Sequence, residues 1–419
     1  MNYRQIILFI ACVFAFTLHA QEDTMTGIFA PSFHSLQVKV EGNEYAPPVI
    51  MLNSDDHIVI NFDEIAEDQR YMRYSLVHCD AQWRPSGLVD AEYIDGFNLG
   101  DVEQYEFSQM TTTHYVNYTI ALPNDQVKFT ISGNYLLKVF PEDNPDEILL
   151  QARFSVSENT MKVSGGVTSR TDIDYNNRHQ QLSVTVDADK VKVQDMFNDL
   201  KLVITQNGRI DNQVIVSKPL RIAGRIAYFE HLQPLIFTAG NEYRRMEIIS
   251  TSYPGMGVEG ISYAHPLYHM LLTVDKPRYA SSYTYDQTQF GRYKIREYNS
   301  AMSNIEADYV VAHFALEMPE LINTDIFLDG DFTYRRFSSE SRMIYNPATN
   351  CYEKNLLLKQ GAYNYQYLAV PTGSMQGKTS IVEGNFYQTI NEYIVMVYHR
   401  PPGSRYDRLV GTTFIYSGR

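Results

Sequence analysis

The chain has 419 residues, a length that predicts two or three domains and excludes a single small core. Hydrophobic residues make up 44% of the sequence and charged residues 20%, so the composition excludes a disordered chain, a collagen-like fibre and a coiled coil. The formal net charge of −14 repels phosphate backbones, and we expect no nucleic-acid partner.

The first twenty residues have the pattern of a signal peptide. Arg4 supplies the positive charge, and residues 6–16 form an apolar run that is too short to remain as a membrane-spanning helix. The residues before Cys12 resemble a lipoprotein cleavage box only loosely, because the apolar run continues beyond this cysteine. We therefore expect residues 1–20 to be removed between Ala20 and Gln21, and the mature protein to be exported.

Short runs of alternating residues then predict β-strands along the whole mature chain. The sequence contains 32 Tyr and 21 Phe together with 23 Gly and 17 Pro, a composition that favours strands separated by turns. Residues 21–156 contain six such runs, whose period of two is typical of half-buried antiparallel sheets. These runs lie at residues 36–40, 57–61, 71–77, 115–122, 134–140 and 148–156.

Two further sets of strands follow the first. Residues 157–275 begin with a polar linker and are predicted to form a middle β-sandwich, and residues 276–419 a C-terminal one. Residues 281–298 lack clean periodicity and are interpreted as a connector. The predicted fold class is all-β, with tandem immunoglobulin-like or early-set β-sandwich domains.

The sequence contains no convincing catalytic or metal-binding motif. His265 and His269 have the spacing of a zincin pair, but the motif's glutamate is missing and Pro266 disfavours a helix at His265. Cys79 and Cys351 are too few to define a disulfide framework, and we favour two buried free thiols over one bond. We expect no enzyme activity, no catalytic residue, no metal, no cofactor and no small-molecule substrate.

Several long motifs resemble the plug proteins of the type IX secretion system of Bacteroidota. In the first half they are YMRYSLVHCDAQW at 71–83, EYIDGF at 92–97, LPND at 122–125 and SGNYLLKV at 132–139. In the second half they are QGAYNYQY at 360–367, EGNFY at 383–387, NEY at 391–393 and YHRPPGSRYDRLVG at 398–411. Together they span nearly the whole mature chain.

The resemblance implies a non-enzymatic periplasmic protein, bound to the inner side of the outer membrane. Its partner would be the translocon barrel of the secretion system, whose periplasmic opening it would close when no cargo is present. A weaker likeness of residues 326–332 and 352–367 to glycogen-binding early-set modules leaves an alternative, an exported polysaccharide-binding protein. Tyr334 and Phe337 are its candidate sugar-stacking residues, although ordinary packing is the favoured interpretation of both.

Two segments are candidates for the partner interface. In the basic loop 399–408, Arg400, Arg405, Tyr406 and Arg408 are residue types enriched at binding hot spots. An equally good interpretation is a hairpin turn whose arginines pair with nearby carboxylates. Trp83 and Phe97 form the second candidate, weighed against a Trp packed between sheets.

Overall fold

A computed structural model describes residues 24–418, so the predicted signal peptide at 1–20 lies outside the described residues. The described residues form thirty strands and one four-residue α-helix, α1 (Ser303–Glu306), which confirms the all-β prediction. Within residues 24–418, no helix is both long and apolar enough to cross a membrane.

Strands β1 to β12 form the N-terminal module, which is a sandwich of two main sheets. One sheet has the order β1-β12-β11-β5-β7, with β3 added beside β12, and the other has the order β2-β4-β9-β8. A small pair, β6 and β10, completes the module. The strands are β1 (Gly27–Ile28), β2 (Phe33–Val40), β3 (Val49–Met51), β4 (Ile58–Glu64), β5 (Met72–Cys79), β6 (Ile94–Gly96), β7 (Gly100–Asp101), β8 (Gln104–Phe107), β9 (Val116–Leu122), β10 (Val127–Phe129), β11 (Gly133–Pro141) and β12 (Leu150–Ser157).

The core of this module follows from the alternation in the sequence. Every second residue of β4 points inward, so Ile58, Ile60 and Phe62 are fully buried between the two sheets. Stacked aromatic rings fill the centre, and those of Tyr135 and Phe154 lie 5.7 Å apart. All six predicted strand runs of residues 21–156 coincide with strands of this module.

The next strands form the first sheet and half of the second sheet of the middle module. The first sheet has the order β13-β14-β18-β17, with β19 beside β14, and β15 pairs with β16 in the second. These strands are β13 (Lys162–Thr168), β14 (His179–Asp187), β15 (Leu200–Gln206), β16 (Val214–Val216), β17 (Arg221–Ala223), β18 (Ile226–Phe229) and β19 (Ile236–Thr238).

Strands β20 to β28 form a separate sandwich, the inserted module. Its sheets have the orders β20-β28-β23, with β25 beside β28, and β21-β22-β24-β27-β26. Tyr363, Tyr367 and Phe314 lie in its core. The strands are β20 (Arg244–Ile248), β21 (Val258–Ala264), β22 (Leu267–Leu272), β23 (Tyr293–Ile295), β24 (Tyr309–Glu317), β25 (Thr324–Asp329), β26 (Ile344–Asn346), β27 (Cys351–Lys359) and β28 (Gly361–Pro371).

The last two strands return to the middle module. Strand β29 (Glu392–His399) pairs with β15 along the whole length of β15, and β30 (Arg408–Tyr416) pairs with β29. The sheets therefore depart from the expected division into 157–275 and 276–419 at two places. Strands β20 to β22 belong with the C-terminal sheets, and β29 and β30 complete the middle sandwich, because hydrogen-bonded partners here are distant in sequence.

A buried ion pair joins the N-terminal and inserted modules. The Lys359 ammonium donates to Asp63 Oδ2 at 2.6 Å, and both side chains are only 1% exposed. Tyr309 and Asn117 donate to the same carboxylate, at 2.5 and 2.6 Å. Desolvation lowers the pKa of Lys359, and the Asp63 charge opposes this shift. Tyr115 lies under the ammonium at 4.1 Å from its ring centre, so the pair has many neighbouring polar and aromatic groups.

We expect Lys359→Met to lower the free energy of unfolding by about 3–5 kcal/mol, because the Asp63 carboxylate would stay buried without its cation. Lys294→Met is the matched control: Lys294 joins the same two modules through Glu44 at 2.7 Å, but the side chains are 43% and 38% exposed. This control should lose about 1 kcal/mol or less. Urea unfolding followed by circular dichroism measures the free energy of unfolding of both variants. Equal losses would contradict the conclusion that the buried Lys359–Asp63 pair stabilises the protein more than the exposed Lys294–Glu44 pair does.

Candidate functional site

The loop between β29 and β30, residues 400–407, lies against the N-terminal module. The buried Asp407 of this loop accepts a hydrogen bond from the backbone N–H of Ala81 at 3.0 Å, and its carboxylate lies 3.3 Å from Lys201 Nζ. Arg400 lies on the other side of the same carboxylate, with Nε 2.7 Å from Oδ1. Asp407 therefore fixes the loop, and Arg400 is part of that internal ion-pair cluster.

Arg408 also makes a strong contact inside the chain. Its guanidinium donates two hydrogen bonds to Glu158, from Nε at 3.0 Å and from Nη2 at 2.5 Å. The hydrogen bond to Glu158 raises the pKa of Arg408. Glu158 follows β12, so this bidentate pair holds the last hairpin to the end of the N-terminal module.

Arg405 and Tyr406 connect the loop to residues 78–92. Arg405 is exposed and pairs with Glu92, whose carboxylate also accepts the Val89 N–H at 2.9 Å. The hydrogen bond from Val89 and then the one from Arg405 lower the pKa of Glu92. Tyr406 packs edge-on against the His78 ring, 5.6 Å between centroids, and burial raises the pKa of its hydroxyl. The predicted pairing of the loop arginines with carboxylates is thus observed for all three.

Phe97 lies in a turn that the N-terminal module holds in place. The Asn98 side chain accepts the Leu76 N–H and donates to the Leu76 carbonyl, both at 2.7 Å. Gly96 has φ of 118°, and a Cβ there would lie 1.9 Å from the Gln126 carbonyl oxygen. The turn therefore presents Phe97 in one arrangement, with 83% of its surface exposed.

Two other apolar side chains of the same segment are exposed, Val89 and Leu99. We call residues 89–99 together with 400–406 the joint surface, because Arg405 and Glu92 connect the two segments. It combines apolar, aromatic and charged groups on an anchored backbone. Sequence reasoning missed Val89, Leu99 and the anchoring Asn98, although the turn-forming Asp95-Gly96 was a visible signal.

Trp83 does not belong to the joint surface. The Asp80 carboxylate accepts hydrogen bonds from the backbone N–H groups of Gln82 and Arg84, at 2.8 and 3.0 Å. Trp83 lies between these two residues and adopts a left-handed backbone conformation with φ of 63°. Its half-buried ring lies 4.4 Å from the Arg153 guanidinium. The two predicted aromatic candidates, Trp83 and Phe97, therefore face different surroundings.

Trp83 lines a central cavity of about 240 Å³ whose lining residues come from all three modules. Tyr334, Tyr293 and Tyr398 contribute to its wall. Arg292, which also lines it, is paired with Glu392 at 2.5 Å. Phe337, the other predicted sugar-stacking residue, packs against Phe327 with 5.1 Å between ring centroids. Tyr334 and Phe337, the two candidate sugar-stacking residues, thus pack in different places.

Among residues 24–418, no group of three or more His, Cys, Asp or Glu side chains is arranged to hold a metal ion. Cys79 and Cys351 are both buried and are not joined in a disulfide, which confirms the favoured interpretation of the two cysteines.

Residues 33–158 match a family model described as the type 9 secretion system plug protein 1st domain. A crystal structure of a hypothetical protein from Parabacteroides merdae ATCC 43184 is 42% identical, with 94% of this chain and 99% of that chain covered and a TM-score of 0.93. A Pseudomonas fluorescens alkylpurine DNA glycosylase has 11% identity over 30% of each chain and a TM-score of 0.16. The collagen adhesin of S. aureus has 7% identity over 92% of each chain and a TM-score of 0.14. TM-scores this low do not indicate a shared fold. No curated protein matches the chain.

Charge reversal should distinguish the structural role of Arg408 from that of Arg405. We expect Arg408→Glu to destabilise the protein by about 2 kcal/mol, because it removes a charge-assisted bidentate contact and places two carboxylates together. Arg405→Glu, at a 59% exposed side chain, should leave the melting temperature nearly unchanged. Thermal unfolding by calorimetry measures both. A stable Arg408→Glu variant would contradict the holding role of Glu158.

Proposed function

Because the chain belongs to the type 9 secretion system plug protein family, we propose that it binds the outer-membrane translocon barrel of that system and closes the barrel's periplasmic opening. The match of residues 33–158 to the family model carries this proposal. The family implies a role in secretion at the cell envelope. On this proposal the protein is a non-enzymatic component of the periplasm, held at the outer membrane through its partner.

The contacts between the modules support a rigid body, which a channel stopper requires. Lys359 and Asp63 join the N-terminal and inserted modules, and Arg292 and Glu392 join the inserted and middle modules. The Tyr398 hydroxyl on β29 donates to Asn134 Oδ1 at 2.7 Å, which joins the middle and N-terminal modules. Each module thus contacts both others through buried polar groups, so hinge motion between them would expose unpaired groups.

The joint surface is the part of the molecule that we propose for contact with the barrel. Phe97 supplies a large rigid ring at low entropic cost, and Arg405 is the most exposed of the three loop arginines described above. Arg400 and Arg408 act by holding the loop, and Trp83 lies at the central cavity. The acidic net charge of −14 would favour a partner with basic patches, mainly through the association rate.

Two experiments test binding and closure separately. Affinity isolation of the tagged protein from detergent-solubilised outer membranes should recover the translocon barrel. Deletion of the gene should make the outer membrane permeable to a large dye that normal cells exclude, and expression of the intact chain should restore exclusion. Recovery of the barrel without any change in permeability would retain binding but reject closure.

We expect Phe97→Ser to weaken capture of the barrel by about thirtyfold, which corresponds to about 2 kcal/mol for a central aromatic contact. Ile322→Ser is the matched control, because Ile322 is 87% exposed but lies between β24 and β25 of the inserted module. Quantitative pull-down with graded amounts of solubilised barrel measures both variants. If Phe97→Ser captures the barrel as well as Ile322→Ser does, the joint surface is not the contact.

A further inference from the structure

Two histidines of the inserted module lie side by side on neighbouring strands. His269 Nδ1 and His313 Nε2 are 2.8 Å apart, and the two rings are nearly parallel, at 28° with centroids separated by 5.1 Å. The sequence pattern pointed to His265 as the partner of His269. The fold instead places His265 on the turn beside Tyr263, with its Nδ1 3.3 Å from the tyrosine hydroxyl.

The sheet fixes the positions of both histidines. Strands β22 and β24 are parallel, and the register pairs His269 with Val311 and Leu271 with His313. Both histidines therefore project from the same face, offset by two residues. The alternate residues Met270 and Ala312 point into the core, so the histidine face is the outer one. Both strands have a partner on each side, so this part of the backbone is held firmly.

The surroundings leave the pair accessible. Both rings are half-buried, and their flanking cross-strand neighbours Ser262 and Asn355 are exposed. Asn355 lies directly opposite His313 on β27, where a polar side chain can help to orient the imidazole ring. Water can therefore reach the two facing nitrogens from the open side of the sheet.

We propose that His269 and His313 chelate a divalent late transition-metal ion, such as Cu²⁺, Ni²⁺ or Zn²⁺. Two imidazole nitrogens that bind one ion at about 2.1 Å and at a right angle lie about 3.0 Å apart, close to the spacing already present. The ring that now donates in the hydrogen bond takes its other neutral tautomer, so that both lone pairs face the ion. Water completes the coordination on the exposed side.

Metal binding to the full mature chain, freed of any affinity tag, tests this site. Isothermal titration with NiCl₂, CuSO₄ or ZnCl₂ alone should give one equivalent bound. His269→Asn and His313→Asn should each weaken binding by at least about tenfold, because each removes one arm of the chelate. His265→Asn, an exposed histidine outside the pair, should bind as the unmodified chain does.

A second measurement does not depend on how well the variants fold. The electron paramagnetic resonance spectrum of the Cu²⁺ adduct of the unmodified chain should show coupling to two imidazole nitrogens. Coupling to one nitrogen, unchanged affinity in folded His269→Asn and His313→Asn, or no saturable binding would each overturn the proposal. In those cases the pair is a hydrogen-bonded surface contact only.

Discussion

The hydrogen-bonded ladder between β15 and β29 is the constraint on which the arrangement of the molecule depends. It runs from Leu200 opposite His399 to Gln206 opposite Tyr393, and it makes the end of the chain part of the middle sandwich. The chain between β19 and β29 therefore lies outside that sandwich, and its two ends lie at the sandwich. The inserted module is the result, and its position beside the middle module brings both into contact with the N-terminal module.

Buried ion pairs and hydrogen bonds join the modules, alongside a small apolar cluster that includes Ala81, Val203, Tyr398 and Leu409. Asp63, Asp407 and Glu158 each accept several hydrogen bonds from groups that lie far away in the sequence. A buried carboxylate is costly unless its donors are in place, so these contacts favour one relative position of the modules over all others. The same logic explains the loop arginines: Arg400 and Arg408 hold the loop through Asp407 and Glu158, whereas Arg405 forms an exposed pair with Glu92.

Local sequence patterns predicted the strands well and their partners poorly. Alternation over residues 115–122 placed Val116, Tyr118, Ile120 and Leu122 on one face of a strand, and all four are buried. Pairing of β15 with β29, or of Arg408 with Glu158, depends on long-range packing that leaves no local signal. Trp83 illustrates the same limit, since its left-handed turn and its contact with Arg153 follow from the surrounding fold. The His269 and His313 pair was hidden for the same reason.

The insertion also sets an order in time. The ribosome makes the chain from its amino end, so β13 to β19 emerge long before the strands that complete their second sheet. Pairing of β20 with β28 inside the inserted module brings that module's two ends together. Once it has folded, β29 need only cross a short gap to reach β15, and much of the entropic cost of closing so long a loop has already been met. A folded inserted module would therefore hold β29 close to its partner strand β15 and favour completion of the middle sandwich.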